Sequence, residues 1–300
     1  MRGDKIKQFF DRSDKLTLQN PKYIYLFTRL FNSLLKFDEV NNDVTSRYLI
    51  SKSEFGHAVI TSHQEGVLAG FNEINYYLTS KTNLKFNTKT HDGSPMSKDE
   101  IVCDIKGPAR EILRYERLIL NCLQRLSGIA SDVKNLTSKR STTRIAATRK
   151  TPWGWLDKKA VFLGGGLTHR LSLADSILVK DNHLDLLSRN RYEALDNTVK
   201  LLKGKLAEIE VETYDEASYL AKIWQKNYND KPVMFLLDNF SAVEAKKTIR
   251  NIQLNNIGFE LSGGINESNI NEYINIGADV ISIGQLTHSV QALDMSIRFT

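Results

Sequence analysis

The sequence predicts an α/β protein: an incomplete (β/α) barrel preceded by a smaller α+β unit. Two observations predict it. From about residue 140 onward, short apolar strands alternate with amphipathic stretches, the pattern of a parallel sheet with right-handed crossovers. Before that, a helical pattern and clustered strand-like pieces share one region without regular alternation.

In the first region, Pro21 to Phe37 carries Ile24, Leu26, Phe27, Leu30, Phe31, Leu34 and Leu35 at helical spacing. Strands are expected at His57–Ile60, Gly66–Gly70 and Ile101–Ile105, each ending at a glycine or polar turn. A long helix is expected from Ala109 to about Lys139, with Ser127-Gly128 as the point at which it would kink or divide. The barrel strands are expected at Thr143–Ala147, Ser176–Val179, Ala207–Val211, Val233–Leu237, Gly258–Leu261 and Val280–Ile283. A helical pattern at Ser268–Ile274 precedes Gly277. The expected division is residues 1–125 for the first domain and 126–289 for the barrel, with the tail of about 290–300 packing on the first domain.

The chain has 300 residues and a net charge of +6, with the basic residues spread along it rather than gathered into a basic helix or an aromatic-interleaved run. That distribution argues against nucleic acid and for a pocket that takes small anions. Cys103 and Cys122 are too few for a disulfide framework and are not spaced as metal ligands. No apolar run approaches the roughly 20 residues of a membrane helix, and the N-terminus lacks a signal-peptide pattern. A cytoplasmic protein that does not engage membranes is expected.

Each barrel strand is followed by residues suited to chemistry. Arg149-Lys150 follow the first and Lys180 the second. Glu212 and Asp238 end the third and fourth. Ser262-Gly263-Gly264 follow the fifth and Gly284 the sixth. In a (β/α) barrel these ends converge on one mouth. Arg149, Lys150, His169, Arg170 and Lys180 suit a multiply anionic ligand. Glu212 and Asp238 suit Mg2+ or a developing cation on a sugar ring. The glycines suit a phosphate. His288, one helical turn after Gly284, faces a phosphate or caps a surface. Gly164-Gly165-Gly166 reads as a turn, His183 as a helix-start histidine, and His57, His63 and His91 as structural. Trp153 and Trp155 read as core or pocket wall.

Thr148-Arg149-Lys150-Thr151, Lys159-Ala160-Val161, Gly164-Gly165-Gly166, His169-Arg170 and Ile177 through His183 resemble the core signature of the quinolinate phosphoribosyltransferases. Glu65 through Gly70, Gly107 through Arg117, Gln124 through Ala130, Glu210-Val211-Glu212, Leu237 through Phe240, Ser262 through Ile265 and Ile283 through Ser289 extend the resemblance over most of the chain, in the family's order. It implies an open-faced sandwich as the N-terminal domain. It also implies a homodimer, or a higher oligomer, with shared active sites, Arg117 reaching the quinolinate of the partner subunit. By position, Arg149, His169, Arg170 and Lys180 would line the quinolinate pocket, and Lys150 would sit between the two substrates. Glu212 and Asp238 would hold the ribose of phosphoribosyl pyrophosphate and, indirectly, Mg2+. Ser262, Gly263, Gly284 and His288 would hold its 5-phosphate. The implied reaction yields nicotinate mononucleotide, CO2 and pyrophosphate, a step of de novo NAD biosynthesis. The stretch Pro152–Asp157 departs from the family's usual loop. Three rival readings remain: a molybdenum-transport-linked relative of the same fold, a nicotinate phosphoribosyltransferase, and a non-catalytic anion-binding barrel.

Overall fold

The computed structural model describes residues 3–139 and 141–300. They fold as two compact units. One takes the chain up to Arg12, Leu136–Lys150 and Leu167–Gln285; the other takes Ser13–Asn135, Thr151–Gly166 and Leu286–Thr300. The chain therefore passes between the units several times rather than at one boundary.

The first unit is built on a six-stranded parallel sheet, in the order Arg144–Ala146, Val280–Ser282, Ile257–Ser262, Val233–Asp238, Ala207–Val211 and Ile177–Val179. This is the neighbour order of a barrel open between its first and second strands; of the connection between those two, Thr151–Gly166 belongs to the other unit. At that seam Leu167 bridges to Ala146, donating its N–H to Ile145 O and accepting from Ala147 N–H. Its four inner strands are buried almost throughout, as a sheet covered on both faces requires, with Glu208, Glu210 and Glu260 set among the apolar residues. Helices Arg191–Leu202, Tyr214–Tyr228 and Ala242–Asn251 start on side-chain caps. Asn190 accepts from Tyr192 N–H and Glu193 N–H, Thr213 from Glu216 N–H, and Ser241 forms a capping box with Glu244. The opening helix Gly3–Phe10 buries Ile6, Phe9 and Phe10 against Ala146, Met234 and Val280 of this sheet.

The second unit holds a four-stranded antiparallel sheet, ordered Met295–Phe299, Phe55–Ser62, Glu100–Pro108 and Lys85–Asn87. Along Phe55–Ser62 buried residues alternate with more exposed ones, as in a sheet covered on one face. Pro21–Phe37 is one helix, started by Asn20 and by Pro21 at its first position. It buries Tyr23, Phe27 and Phe31 in a chain of ring contacts that continues from Phe31 to Tyr77 of the helix Phe71–Thr79.

The long helix runs from Ala109 to Thr137 without division at Ser127-Gly128. Both residues serve packing there. Ser127 Oγ accepts from Ala69 N–H at 3.0 Å. A Cβ on Gly128 would lie 2.1 Å from the Gln291 carbonyl oxygen. Gly164-Gly165-Gly166 is a plain helix end, with all three N–H groups donating to carbonyls of the helix Trp155–Leu163. No helix among the described residues is long and apolar enough to cross a membrane.

Candidate active site

The site begins with a periodicity. In Ala207-Glu208-Ile209-Glu210-Val211-Glu212 the glutamates recur every second residue, so a strand aims all three to one side. Glu208 and Glu210 are buried, while Glu212, just past the strand, is exposed on about half its side chain. Lys180, directly after the neighbouring strand, places Nζ on the Glu210 carboxylate in a short ion pair. Burial opposes the Lys180 charge, but Glu210 overcomes it and holds the ammonium above its ordinary range. Glu212 is drawn toward Arg191, whose guanidinium lies 3.6 Å away and also meets Glu216 at 3.2 Å. Glu210, which the sequence reading left in the strand, is thus the carboxylate partnered with Lys180.

Asp238 ends the next strand. Burial raises its pKa; Lys180 and Lys150 pull it down, while Glu212 and Asp181 push it up. Lys150, Lys180, Glu212 and Asp238 therefore share one field. Arg170 is buried, and its guanidinium donates to Ser176 O at 3.3 Å. Burial and the adjacent Arg149 lower its pKa. The two arginines sit close enough to repel, an arrangement that favours an incoming anion. His169 lies deeper, with its ring against Glu208, Glu260 and Phe10. His183 accepts from Lys180 N–H at 3.0 Å, at the start of the helix Asp181–Leu187.

At the fifth strand Ser262 is in register with Asp238. Gly263 has φ +91°, and a Cβ there would lie 2.2 Å from Asn239 Oδ1. Gly264 has φ +65° and opens onto space, with nothing within 4 Å of a Cβ. After them comes a turn through Asn266 and only the short helix Ile270–Tyr273, with the Asn266 and Asn269 side-chain amides donating to the Gly264 carbonyl. Gly284 follows the sixth strand. His288, which falls in the other unit, ends the four-residue helix Gln285–His288, its Nδ1 2.6 Å from Ser289 Oγ.

That unit also carries Arg117, on the long helix and 61% exposed at its side chain. It borders a shallow cavity of about 270 Å³ with Leu34, Phe37, Asp38 and Asn121. The variant stretch Pro152–Asp157 is held locally by Asp157. Its carboxylate takes two parallel bonds from Arg125, at 2.9 and 2.8 Å, and one from Thr151 Oγ1. The Arg125 guanidinium also lies over Trp153, 5.4 Å from the ring centroid. His57 and His63 pair with Asp104 and Ser296 at 2.8 Å, in structural roles.

Residues 43–127 match the N-terminal domain of quinolinate phosphoribosyl transferase, and residues 129–298 match its C-terminal domain. A probable nicotinate-nucleotide pyrophosphorylase (carboxylating) of Methanothermobacter thermautotrophicus is 32% identical over 283 residues, covering 89% of this chain and 97% of that protein. One from Archaeoglobus fulgidus is 33% identical over 253 residues, covering 80% and 93%. The solved structure of the nicotinate-nucleotide pyrophosphorylase from Francisella tularensis superposes with a TM-score of 0.79 at 28% identity, over 92% of this chain and 97% of that one. With both family domains matched in order, and with relatives aligned nearly end to end, the chain belongs to the quinolinate phosphoribosyltransferase family.

Proposed function

We propose that this chain transfers the phosphoribosyl group of phosphoribosyl pyrophosphate to quinolinate, releasing pyrophosphate and CO2 and forming nicotinate mononucleotide, as a step of de novo NAD synthesis. Family membership supports this reading, and one observation in the site carries it. Arg149, Arg170, Lys150 and Lys180 share the strand-end region of one unit with Glu210, Glu212 and Asp238. A pure anion binder gains nothing from those carboxylates; a glycosyl transfer does.

Quinolinate brings two carboxylates on adjacent ring carbons, which the guanidinium forks of Arg149 and Arg170 suit. Lys180, fixed by Glu210, adds a point charge. As the bond from C1 of the ribose to pyrophosphate breaks, the electron pair leaves with the pyrophosphate and the ribose gains oxocarbenium character. Asp238 and Glu212 stabilise that positive charge, and Lys150 the charge on the leaving group. The pyridine nitrogen then bonds to C1. The resulting cationic ring loses the 2-carboxylate as CO2; the electron pair stays on the ring carbon, held by the positive nitrogen, and takes up a proton. No enzyme nucleophile is needed.

The donor set fits a hard divalent cation. Glu212 and Asp238 would offer carboxylate oxygens to such an ion, directly or through water, and repulsion from Glu212 adds to the burial that raises Asp238. Bound Mg2+ would supply charge neutralisation on the pyrophosphate. Ser262, Gly263 and Gly284 would take the 5-phosphate. A homodimer would let Arg117, exposed beside its cavity, serve the partner's site.

The test is direct. Purified protein is given phosphoribosyl pyrophosphate and Mg2+ with quinolinate or nicotinate, and nicotinate mononucleotide is followed by mass. Product from quinolinate alone, dependent on Mg2+, is expected. Product from nicotinate alone would overturn the substrate assignment, and no product from either with folded protein would favour the molybdenum-linked relative or a binding role.

A further inference from the structure

Behind the cationic residues of the parallel-sheet unit lies a buried cluster of His169, Glu208 and Glu260, exposed by 7%, 4% and 1%. The ring Nε2 of His169 lies 3.3 Å from Glu260 Oε2 and 3.5 Å from Glu208 Oε2. Three such ligand atoms so close together have the makings of a metal site. The other ring nitrogen argues against one. Nδ1 accepts the Arg170 backbone N–H at 2.8 Å, so it carries no proton. A histidine that ligates through Nε2 normally donates its Nδ1–H; here it would have to become an imidazolate. The same bond excludes the imidazolium, which has no acceptor nitrogen. The ring proton therefore sits on Nε2, facing the two glutamates. The backbone enforces this orientation: His169 has φ +54°, donates its N–H to Phe10 O at 2.7 Å and packs its ring edge-on to Phe10.

Two carboxylates side by side in the interior cannot both stay charged at ordinary pH. Burial, then the charge of Glu260, pushes Glu208 well above the usual carboxylate range. Glu260 goes the other way despite its burial, because hydrogen bonds from Glu208, the neutral His169 ring and Ser282 favour its charged form. With both groups ionised, Glu208 Oε1 and Glu260 Oε2 would be buried oxygens without a well-aligned hydrogen bond, the His169 Nε2–H at 3.3 Å from Glu260 Oε2 being the nearest ring donor. One proton held between the carboxylates provides a donor. The charges facing the pair are Arg170 and Lys180, with Arg149 behind Arg170.

We propose that Glu208 is protonated and donates to Glu260, so that the pair carries one negative charge, and that this charge is the buried counter-ion that positions His169 and Arg170 for an anionic substrate. One charge rather than two leaves Arg149 and Arg170 with a net attraction for an incoming carboxylate. The positioning role rests on the quinolinate reading above; the shared proton does not.

The experiment has two arms. Infrared difference spectra of wild type against Glu208→Gln, in ligand-free protein at pH 7.5, should show a protonated carboxyl band that the variant lacks; its absence would overturn the shared proton. Quinolinate binding by calorimetry and steady-state kinetics form the second arm. Glu208→Gln replaces a neutral donor with a neutral donor and should keep quinolinate KM within about threefold, whereas the double variant Glu208→Gln/Glu260→Gln, which abolishes the charge, should raise KM by about tenfold or more with a smaller change in kcat. Glu208→Ala should lose what Glu208→Gln keeps. Thermal melts report whether each variant is folded. A Glu208→Gln variant that is folded but as impaired as the double variant would overturn the proposal. A wild type that shows the band yet neither binds nor turns over quinolinate would overturn the substrate reading while upholding the proton.

Discussion

Lys150 and Glu73 show how differently two charged side chains can be read. Lys150 acts within the field of Asp238 and is proposed to sit between the substrates. Lys150→Ala should therefore lower kcat by about 100-fold or more while raising quinolinate KM only a fewfold; steady-state kinetics in both substrates would check it. Glu73 is 1% exposed and accepts from Tyr23 OH at 2.9 Å. Burial, then the nearby Asp92, raises it to about 7. Because the folded protein holds this proton more tightly than the unfolded chain, stability should fall as pH rises from about 4.5 to 7. Glu73→Gln should flatten that slope and stabilise the protein at pH 8 by on the order of 2–3 kcal/mol, read from urea unfolding at pH 5 and pH 8. The strand-end charges were legible because each closes an apolar run. The partner of Lys180 was not, because Glu208, Glu210 and Glu212 share one face and the sequence carries no measure of depth along it.

Strands of the parallel sheet lie within a residue or two of their expected bounds, because each is a short, mainly apolar segment bounded by polar or turn residues, even where Glu208, Glu210 and Glu260 interrupt it. Lys85–Asn87, Pro95–Met96 and Met295–Phe299 carry no such signal; they are short or mixed, and pairing with distant partners defines them. The expected helix at Ser268–Ile274 shrinks to Ile270–Tyr273, since Ser268 and Asn269 spend their side chains on the turn at Asn266. In the long helix, sequence propensity argued for a break at Gly128 where packing needs a glycine within an intact helix. Gly128→Ala would place a methyl group 2.1 Å from the Gln291 carbonyl oxygen. It should destabilise by about 2–4 kcal/mol despite alanine's better helix propensity, seen as a lowered urea midpoint with far-UV circular dichroism unchanged.

The assembly proposed for the whole molecule can be tested by complementation. Arg117 and Lys150 belong to different units of one chain. If each active site draws Arg117 from the partner, mixing inactive Arg117→Ala and Lys150→Ala proteins should restore up to about a quarter of wild-type activity, since one of the two sites in a mixed dimer is then intact. Lack of recovery after subunit exchange, verified by tagging, would argue for sites complete within one chain. The molecule-wide plan was legible from the order of motifs, whereas the repeated passage of the chain between units was not, because no composition shift marks it. The pairing of Met295–Phe299 with Phe55–Ser62 adds a consequence of another kind. On a ribosome, the strand that covers this rim of the antiparallel sheet emerges only after the whole parallel sheet has been made. Until then Phe55–Ser62 has a bare edge open to pairing with other chains, and the last strand acts as a late seal against aggregation.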